Sequence, residues 1–398
     1  MSKQKNQLVL KRHRFYSVLF RPIMALFNLV AVGCKVKTTK LKKGENVLVL
    51  SNHQTDLDPV IMYLSFNKPM YLVATDTLLS NGGMSKFLRH TYSPLPKKKG
   101  MSDIQNVMDM IRVAKEGGSI ALFPEGNRTY AEFQFPIDVA TVKLIRKLKL
   151  PVLLYNIKGG NGVMPRFFFK RRKGKFTGEV VKRLEVDEYS KMSDDELLAV
   201  VKDTIKVYDS ESGELYKSKN RAMYMENMFH VCPKCGSVSK LHSEGNYLTC
   251  SECGLKVEYT EDLHLKSDDE SFKYTKLIEW YDMQKEWTRN YELKPGETIF
   301  EDEGVKLYQI ELYKKRRLVI ESKMALTNEE LIFGHAHFKV SDIIVASPIG
   351  GRRMSFTCNG KNYLIMSNKR FNPLKYILML NKLDSGIKRI GYDHNYSL

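Results

Sequence analysis

A histidine and a carboxylate lie close together near the start of the chain. Residues 52–59 read NHQTDLDP, so four residues separate His53 from Asp58. Imidazole titrates near neutral pH and is the side chain most often used as a general base. A carboxylate that accepts its other N–H fixes the tautomer and stabilises the imidazolium. We therefore predict that His53 removes a proton from a nucleophile and that Asp58 orients it. Asp56 is the competing carboxylate, and a surface histidine in a chance pattern is the alternative.

A second motif, FPEGNRT, occupies residues 123–129. Together and in this order, the two motifs resemble the NHxxxxD and FPEGxR signatures of the PlsC-like glycerolipid acyltransferases. The resemblance covers roughly residues 15–209, including the proline-containing strand of that family at 150–154. It implies transfer of a fatty acyl group from acyl-CoA or acyl carrier protein to lysophosphatidic acid, which gives phosphatidic acid. Another lysophospholipid is the alternative acceptor. Within the family pattern, the catalytic carboxylate is Asp58.

The same resemblance implies that the second motif binds the phosphate of the acyl acceptor through Glu125, Gly126 and Arg128. A guanidinium offers a planar fork of donors that matches phosphate oxygens, and glycine allows the backbone to approach closely. A glutamate beside a phosphate is electrostatically unfavourable. We therefore expect Glu125 to orient Arg128 or to contact a glycerol hydroxyl.

The chain departs from the family pattern between the two motifs. Where the family usually has a single arginine, residues 93–100 read SPLPKKKG. Lysine supplies a point charge for a phosphate but no bidentate fork. Lys99 is the candidate for this position, with Lys97 and Lys98 as alternatives, and the identity of the acceptor stays open with that choice.

Residues 35–209 alternate between strand-like and helix-like segments, which is typical of an α/β layered domain. His53 follows directly after the apolar run at 46–51, and the second motif follows the strand-like run at 119–123. Functional groups in open α/β sheets collect beyond the carboxyl ends of the strands. We therefore expect both motifs to line one cleft.

Composition points to a polyanionic partner. The chain has 398 residues, is 43% hydrophobic and carries a net charge of +19, which suits more than one domain and an anionic lipid surface, nucleic acid or phosphorylated substrates. No acidic residue precedes Glu45, and the basic residues there surround an apolar run from Phe15 to Val32. Charge of this kind around an apolar segment favours an anionic membrane surface.

Arg21-Pro22 interrupts this apolar run, and the piece that remains is too short to span a bilayer. We expect residues 1–34 to associate with the cytoplasmic face of the membrane as a peripheral or monotopic segment. A buried pair of N-terminal helices and an export signal are the alternatives.

Four cysteines form two CxxC pairs within residues 228–260. They are Cys232, Cys235, Cys250 and Cys253. This spacing is typical of a zinc ribbon, in which four thiolates complete a tetrahedral site with no open position. We expect a structural Zn²⁺ in a reducing compartment. Two disulfides or a chance spacing are the alternatives.

The rest of the chain predicts a connecting helix over residues 268–290 and a β-rich domain over 295–388. Short strands at close spacing indicate a small barrel or sandwich. The run ALTNEELIF at 325–333, followed by SDII and a final helix, resembles PH-like or GRAM-like domains. The basic stretches 314–317 and 369–370 are candidates for contacts with lipid headgroups, and a solvated charged surface is the alternative.

Two other classes of function fit parts of this pattern. A degenerate, non-catalytic protein that binds a lipid surface is disfavoured because the His53, Asp58, Glu125 and Arg128 positions are intact. Zinc ribbons and basic charge also occur in nucleic-acid-binding proteins. Because no aromatic-rich basic stripe accompanies the cysteines, no nucleic-acid partner is expected.

Overall fold

The computed structural model describes residues 7–75, 78–80, 82–97 and 104–383. Its α-helices are α1 (Lys11–Leu19), α2 (Arg21–Phe27), α3 (Asp58–Ser65), α4 (Gly83–Thr91), α5 (Ile104–Lys115), α6 (Ala140–Leu148), α7 (Gly160–Val163), α8 (Val186–Tyr189), α9 (Asp194–Ile205), α10 (Leu277–Asn290) and α11 (Pro373–Leu383). The first eleven strands are β1 (Lys35–Val36), β2 (Leu48–Ser51), β3 (Met70–Thr75), β4 (Leu95–Lys97), β5 (Ser119–Leu122), β6 (Val152–Lys158), β7 (Thr177–Leu184), β8 (Leu241–Glu244), β9 (Tyr247–Cys250), β10 (Lys256–Tyr259) and β11 (Leu265–Lys266). The last seven are β12 (Thr298–Ile310), β13 (Arg317–Thr327), β14 (Glu330–Phe333), β15 (Ala336–Lys339), β16 (Ile343–Ile349), β17 (Arg353–Cys358) and β18 (Lys361–Met366).

The first sheet has the strand order β1-β7-β6-β2-β5-β3-β4 and is parallel except where β7 pairs with β6. Its central strand β2 is buried along its whole length. Val49 of this strand packs into the core on one face, and Leu48 and Leu50 pack into the core on the other. Cores on both faces explain why the strand reads as a continuous apolar run. The predicted α/β layering is confirmed.

The N-terminal helices lie on the surface of this unit. None of the described residues of α2 is buried, which contradicts the alternative of a buried helical pair. Phe15, Val18, Leu26 and Leu29 are all more than half exposed. Among the described residues, no single helix has the length and apolar character to cross a bilayer, whereas α1 and the helical segment Arg21–Val32 meet that requirement as a pair bent by 45°.

Arg21, which interrupts the apolar run, has a defined role in the fold. Its guanidinium donates to the carbonyl oxygens of Leu64 (2.7 Å) and Phe66 (2.6 Å), at the C-terminal end of α3. A cation at this end satisfies carbonyls that have no partner within the helix. The contact attaches the N-terminal helices to the helix that begins with Asp58.

The cysteines lie in and beside a small antiparallel sheet of order β11-β10-β9-β8. The helix expected over residues 268–290 begins only at Leu277. The carboxylate of Glu279 accepts from the backbone amides of Thr275 (2.7 Å) and Lys276 (3.0 Å) and so caps the helix there. The residues between β11 and α10 form an irregular segment, which is held to the small sheet by the hydrogen bond from the amide of Leu265 to the carbonyl oxygen of Thr275 at 2.8 Å.

The C-terminal region is β-rich, as predicted. Its seven antiparallel strands have the order β15-β14-β13-β12-β18-β17-β16. The strand that comes first in the sequence, β12, therefore pairs with the one that comes last, β18, and α11 packs against the sheet. Strand β13 runs unbroken beside the long strand β12, and register shifts in their pairing accommodate irregularities as bulges.

Candidate active site

Strand register brings the two sequence motifs together. Strands β2 and β5 are parallel neighbours with Leu50 opposite Leu122, so His53 and Glu125 stand at equivalent positions beyond the strand ends. The backbone amide of His53 donates to Glu125 Oε1 at 3.2 Å. The ring of Phe123 stacks on the imidazole, with 4.1 Å between centroids. The two motifs therefore meet in one place at the carboxyl edge of the sheet.

His53 and Asp58 form a hydrogen-bonded pair. His53 Nδ1 lies 2.8 Å from Asp58 Oδ2. The Asp58 carboxylate is fully buried and also accepts from the backbone amides of Gln54 (2.8 Å) and Thr55 (3.0 Å) and from the Thr55 hydroxyl (2.6 Å). These bonds fix the carboxylate before any substrate arrives, and the carboxylate in turn fixes the imidazole. Asp56, the competing carboxylate, has a different partner.

The surroundings of His53 favour its neutral form. Burial lowers the pKa of His53, and this effect outweighs the hydrogen bond and the charge of Asp58, which act in the opposite direction. A neutral ring bonded to Asp58 through Nδ1 presents Nε2 as a proton acceptor. The side chain is 20% exposed, so a substrate can reach it.

Glu125 connects the two loops of the site. Its Oε1 accepts from the amide of His53, and its Oε2 accepts from the amide of Phe135 at 3.3 Å. Burial raises the pKa of Glu125 to about 8. These backbone contacts assign Glu125 an architectural part that sequence reasoning, which paired it with Arg128 or a glycerol hydroxyl, did not anticipate.

Arg128 reaches the cleft from the turn made by Gly126. Gly126 has φ of +70°, a left-handed conformation in which a side chain would be strained, and its amide donates to Phe123 O at 3.0 Å. Arg128 Nη2 lies 2.7 Å from Asp56 Oδ1. The Arg128 side chain is 7% exposed, whereas that of Asp56 is 71% exposed. A buried cation paired with an exposed, displaceable carboxylate marks a place where an anionic ligand can bind.

Sequence reasoning missed two supporting side chains of the His53 loop. The Asn52 amide pairs with both backbone groups of Ile157, at 2.7 and 2.8 Å, and so extends the ladder between β2 and β6. Gln54 Oε1 accepts from the amide of Gly160 at 2.7 Å. The position of both residues beside His53 in the motif was the available signal.

Arg166 is a further missed residue, and no motif marks it. It is almost fully buried and donates to the carbonyl oxygen of Arg128. Its Nε also donates to Gly350 O at 2.7 Å, in the C-terminal β-rich unit. Lys99 and its alternative Lys98 lie outside the described residues, and Lys97 is an exposed residue at the end of β4.

The four cysteines converge, and all six cysteines, each within the described residues, are free thiols. The four Sγ atoms lie within 4.8 Å of one another. Cys232 and Cys253 are 3.6 Å apart, and Cys235 and Cys250 are 3.8 Å apart. A tetrahedral ion with bonds of about 2.3 Å to each sulfur requires separations near 3.8 Å, so the donor set and its geometry fit zinc.

Part of the chain is similar to known acyltransferases. Residues 34–158 match the Acyltransferase family model. The chain is 28% identical over 131 residues to the 1-acyl-sn-glycerol-3-phosphate acyltransferase of Borreliella burgdorferi, which is 31% of this chain and 52% of that protein. It is 25% identical over 139 residues to a probable 1-acyl-sn-glycerol-3-phosphate acyltransferase of Mycoplasma genitalium, which is 33% of this chain and 52% of that protein.

A solved structure is also similar. The 1-acyl-sn-glycerophosphate (LPA) acyltransferase PlsC from Thermotoga maritima has a TM-score of 0.40 and 19% identity, covering 49% of this chain and 76% of that one. The chain spans about half the length of the curated relatives that it matches. The family match includes both sequence motifs and ends before the cysteine pairs.

Proposed function

We propose that this protein is an O-acyltransferase that moves a fatty acyl group from acyl-CoA or acyl carrier protein to lysophosphatidic acid, giving phosphatidic acid. The observation that carries the proposal is the proximity of the His53–Asp58 pair to Arg128 in one cleft. A base and a buried cation side by side suit an acceptor that has both a hydroxyl and a phosphate. The names of the two curated relatives support the same acceptor.

In the proposed reaction, His53 Nε2 takes the proton of the acceptor hydroxyl while the hydroxyl oxygen attacks the thioester carbonyl. The new C–O ester bond forms as the C–S bond breaks, and the thiolate leaves with the proton that the imidazolium returns. Asp58 stabilises the imidazolium, as its hydrogen bond to Nδ1 allows. The substrate hydroxyl is the nucleophile, so no acyl-enzyme intermediate is needed.

Arg128 binds the acceptor phosphate in this proposal. The phosphate takes the place of the exposed Asp56 carboxylate, which swings into solvent. A dianionic phosphate offers more oxygens to the guanidinium fork than one carboxylate does. Lys99 remains a proposed contact for the same phosphate, on the strength of the sequence pattern alone.

We also propose that the protein works on the cytoplasmic face of an anionic membrane. Support comes from the exposed apolar side chains of α1 and α2 and from α4, which packs beside α1 through His90 on Tyr16 and exposes Met84 and Phe87. Basic residues flank these helices in the sequence. Apolar area combined with basic charge is what holds a helix at a lipid interface.

The remaining proposals concern the two added units. The sulfur separations support a closed, structural Zn²⁺ site held by Cys232, Cys235, Cys250 and Cys253. Zinc there would stabilise the small sheet and supply no chemistry to the cleft. Two features support a PH-like identity for the C-terminal unit. Its first strand in sequence, β12, pairs with its last, β18, and the unit ends in the helix α11.

A transferase assay on the purified full chain in lipid vesicles tests the proposed function. Lysophosphatidic acid and other lysophospholipids are offered with acyl-CoA and with acyl carrier protein, alongside His53→Ala. We expect phosphatidic acid from the wild type and no product above background from the variant. Product from a different lysophospholipid alone would contradict the acceptor. No product from any pair, with folded protein, would overturn the enzyme and favour a non-catalytic lipid-surface protein.

A further inference from the structure

The C-terminal β-rich unit reaches the catalytic cleft through one tight turn. Strands β16 and β17 pair with Ile349 opposite Arg353, so residues 350–352 form the turn. The carbonyl oxygen of Gly350 accepts from the hydroxyl of Tyr130 (2.9 Å) and from Arg166 Nε (2.7 Å). Tyr130 directly follows the FPEGNRT motif. The turn therefore docks against the segment that carries Arg128.

Arg166 stabilises this contact through hydrogen bonds to both units. Its guanidinium donates to the carbonyl of Arg128 in the first unit and to the carbonyls of Pro348 (3.1 Å) and Gly350 in the turn. The guanidinium plane also lies over the ring of Tyr130, 4.2 Å from its centroid. Hydrogen bonds of a buried cation to several carbonyls make a rigid, directional joint. The position of Arg128 and that of the turn are consequently set by one side chain.

Gly351 lets the turn approach this closely. A Cβ atom at this position would lie 2.2 Å from the backbone carbonyl oxygen of Arg166, a distance that no side chain can occupy. Backbone on both sides leaves no flexible group to move aside. Contact between the two units at this point thus depends on glycine.

The turn also carries another cation, Arg353, at its junction with β17 and next to Gly350, whose carbonyl oxygen makes the contacts with Tyr130 and Arg166. Arg353 is half-buried, and its guanidinium folds back toward Gly350, so that Nη2 would be 3.3 Å from a Cβ atom on that glycine. Burial lowers the pKa of Arg353, and Asp56 is the acidic group whose charge acts against this. Burial raises the pKa of Asp56, but the charges of Arg128, Arg166 and Arg353 contribute to a net lowering. Asp56 thus lies within the field of three guanidinium groups.

From this geometry we propose that Arg353, supplied by the C-terminal unit, is a binding residue for the phosphate of the acyl acceptor and acts beside Arg128. The proposal rests on the proposed function and extends it, because the acceptor site is then shared between two units far apart in sequence. The Asp56 carboxylate is an anion that already interacts with these cations. A phosphate that replaced it would carry more negative charge and interact with them more strongly. Arg166 and Gly351 are positioning residues for Arg353.

Two neighbouring arginines make a matched test. Arg352 is in the same turn, but its guanidinium lies over the ring of Phe169, 4.6 Å from the centroid. We compare Arg353→Gln, Arg353→Lys and Arg352→Gln in the full chain, with acyl-CoA and phosphatidylcholine vesicles that contain lysophosphatidic acid. The expected result for Arg353→Gln is a KM for lysophosphatidic acid raised about tenfold, equivalent to about 1.4 kcal/mol, with KM for acyl-CoA within about twofold of wild type. The KM of Arg353→Lys for lysophosphatidic acid should lie between those of the wild type and Arg353→Gln. The KM of Arg352→Gln should match that of the wild type.

A KM for lysophosphatidic acid in Arg353→Gln that stays within about twofold of wild type would overturn the proposal, as would an equal rise in Arg352→Gln. Gly351→Ala, which keeps the charge but displaces the turn, should raise the same KM.

A binding measurement separates this idea from the proposed function. If the wild type acylates no lysophospholipid, the proposed function fails, and binding of glycerol 3-phosphate is then followed by ligand-observed NMR. Weaker binding by Arg353→Gln than by Arg352→Gln would still support an anion site at Arg353. Equal binding by wild type and Arg353→Gln would overturn it.

Discussion

The candidate active-site cleft and the cysteine cluster both gather polar groups, but they differ in which groups stay accessible to a ligand. In the cleft, Asp58 is fully buried and engaged by four hydrogen bonds, while the His53 side chain that it holds stays partly exposed. In the cluster, four sulfur atoms face one another within 4.8 Å. A reacting group needs one side fixed and one side free, whereas a structural metal site uses all its ligand positions internally. Substitutions should therefore affect rate in the cleft and stability in the cluster.

The largest expected effect comes from the cleft. His53→Ala should lower kcat by about 10²- to 10⁴-fold, because the proposed reaction then loses its general base. Thermal unfolding followed by circular dichroism should change little, since the ring is partly exposed. His242→Ala, on the exposed side of β8, is the matched control and should retain full activity. If folded His53→Ala turned over at the wild-type rate, the cleft would not be the site of the reaction.

Asp58→Asn tests the role of the cleft through the pH dependence of kcat/KM. The proposed mechanism needs neutral His53, so wild-type kcat/KM should be lost as pH falls through the pKa of His53, which lies below its usual value near 6.5. The hydrogen bond and charge of Asp58 raise that pKa. Without them, the acid limb should move to lower pH even though kcat falls, about 10²-fold or more, because the ring is poorly oriented.

Rate profiles from pH 4 to pH 9 would measure both changes in Asp58→Asn. An acid limb that moves to higher pH would contradict the assigned role of Asp58.

The cluster should respond in the opposite manner. Cys235→Ser removes one sulfur from the most exposed cysteine of the four, so little packing is lost. We expect lower bound zinc and a lower unfolding temperature, with kcat at 25 °C within about twofold of wild type.

Tryptophan fluorescence offers a local measure of this change. Trp280 is buried against Phe229, with 4.2 Å between ring centroids, and its indole N–H donates to Val231 O at 3.0 Å, next to Cys232. Chelation of zinc should therefore alter the emission of the wild type but much less that of Cys235→Ser. If zinc removal abolished kcat while the tryptophan emission stayed unchanged, the metal would take part in the reaction. The proposed contrast between a reactive cleft and a structural cluster would then be wrong.

The last expected effect concerns the pH dependence of stability, and it rests on Glu125. Its folded-state pKa is about 8, above the ordinary value of 4.5. Between these values the folded protein holds a proton that the unfolded chain releases, so the free energy of unfolding should fall as pH rises through this window. Glu125→Gln should remove a slope of up to about 1.4 kcal/mol per pH unit. Denaturant titrations at several pH values would detect it, with exposed Glu329→Gln as control. An unchanged slope would show that Glu125 is ionised in the fold.

Much of the site follows from local sequence. Buried parallel strands end where their apolar runs end, so residues just beyond Leu50 and Leu122 had to meet at one edge of the sheet. Each CxxC pair brings its own two thiols together through a short turn. The carboxyl ends of the strands position the first set of residues, and the CxxC spacing positions the second, and both features are visible in the sequence.

Other features were decided only by the tertiary structure. Whether Asp56 or Asp58 orients His53 depends on the loop that turns Asp58 inward and leaves Asp56 facing Arg128. Arg21 breaks an apolar run in the sequence, yet in the fold it caps α3. Arg166 bonds to carbonyls of both Arg128 and Gly350. No pattern links residues so far apart, because packing of one folded unit on another leaves no periodicity in the sequence of either.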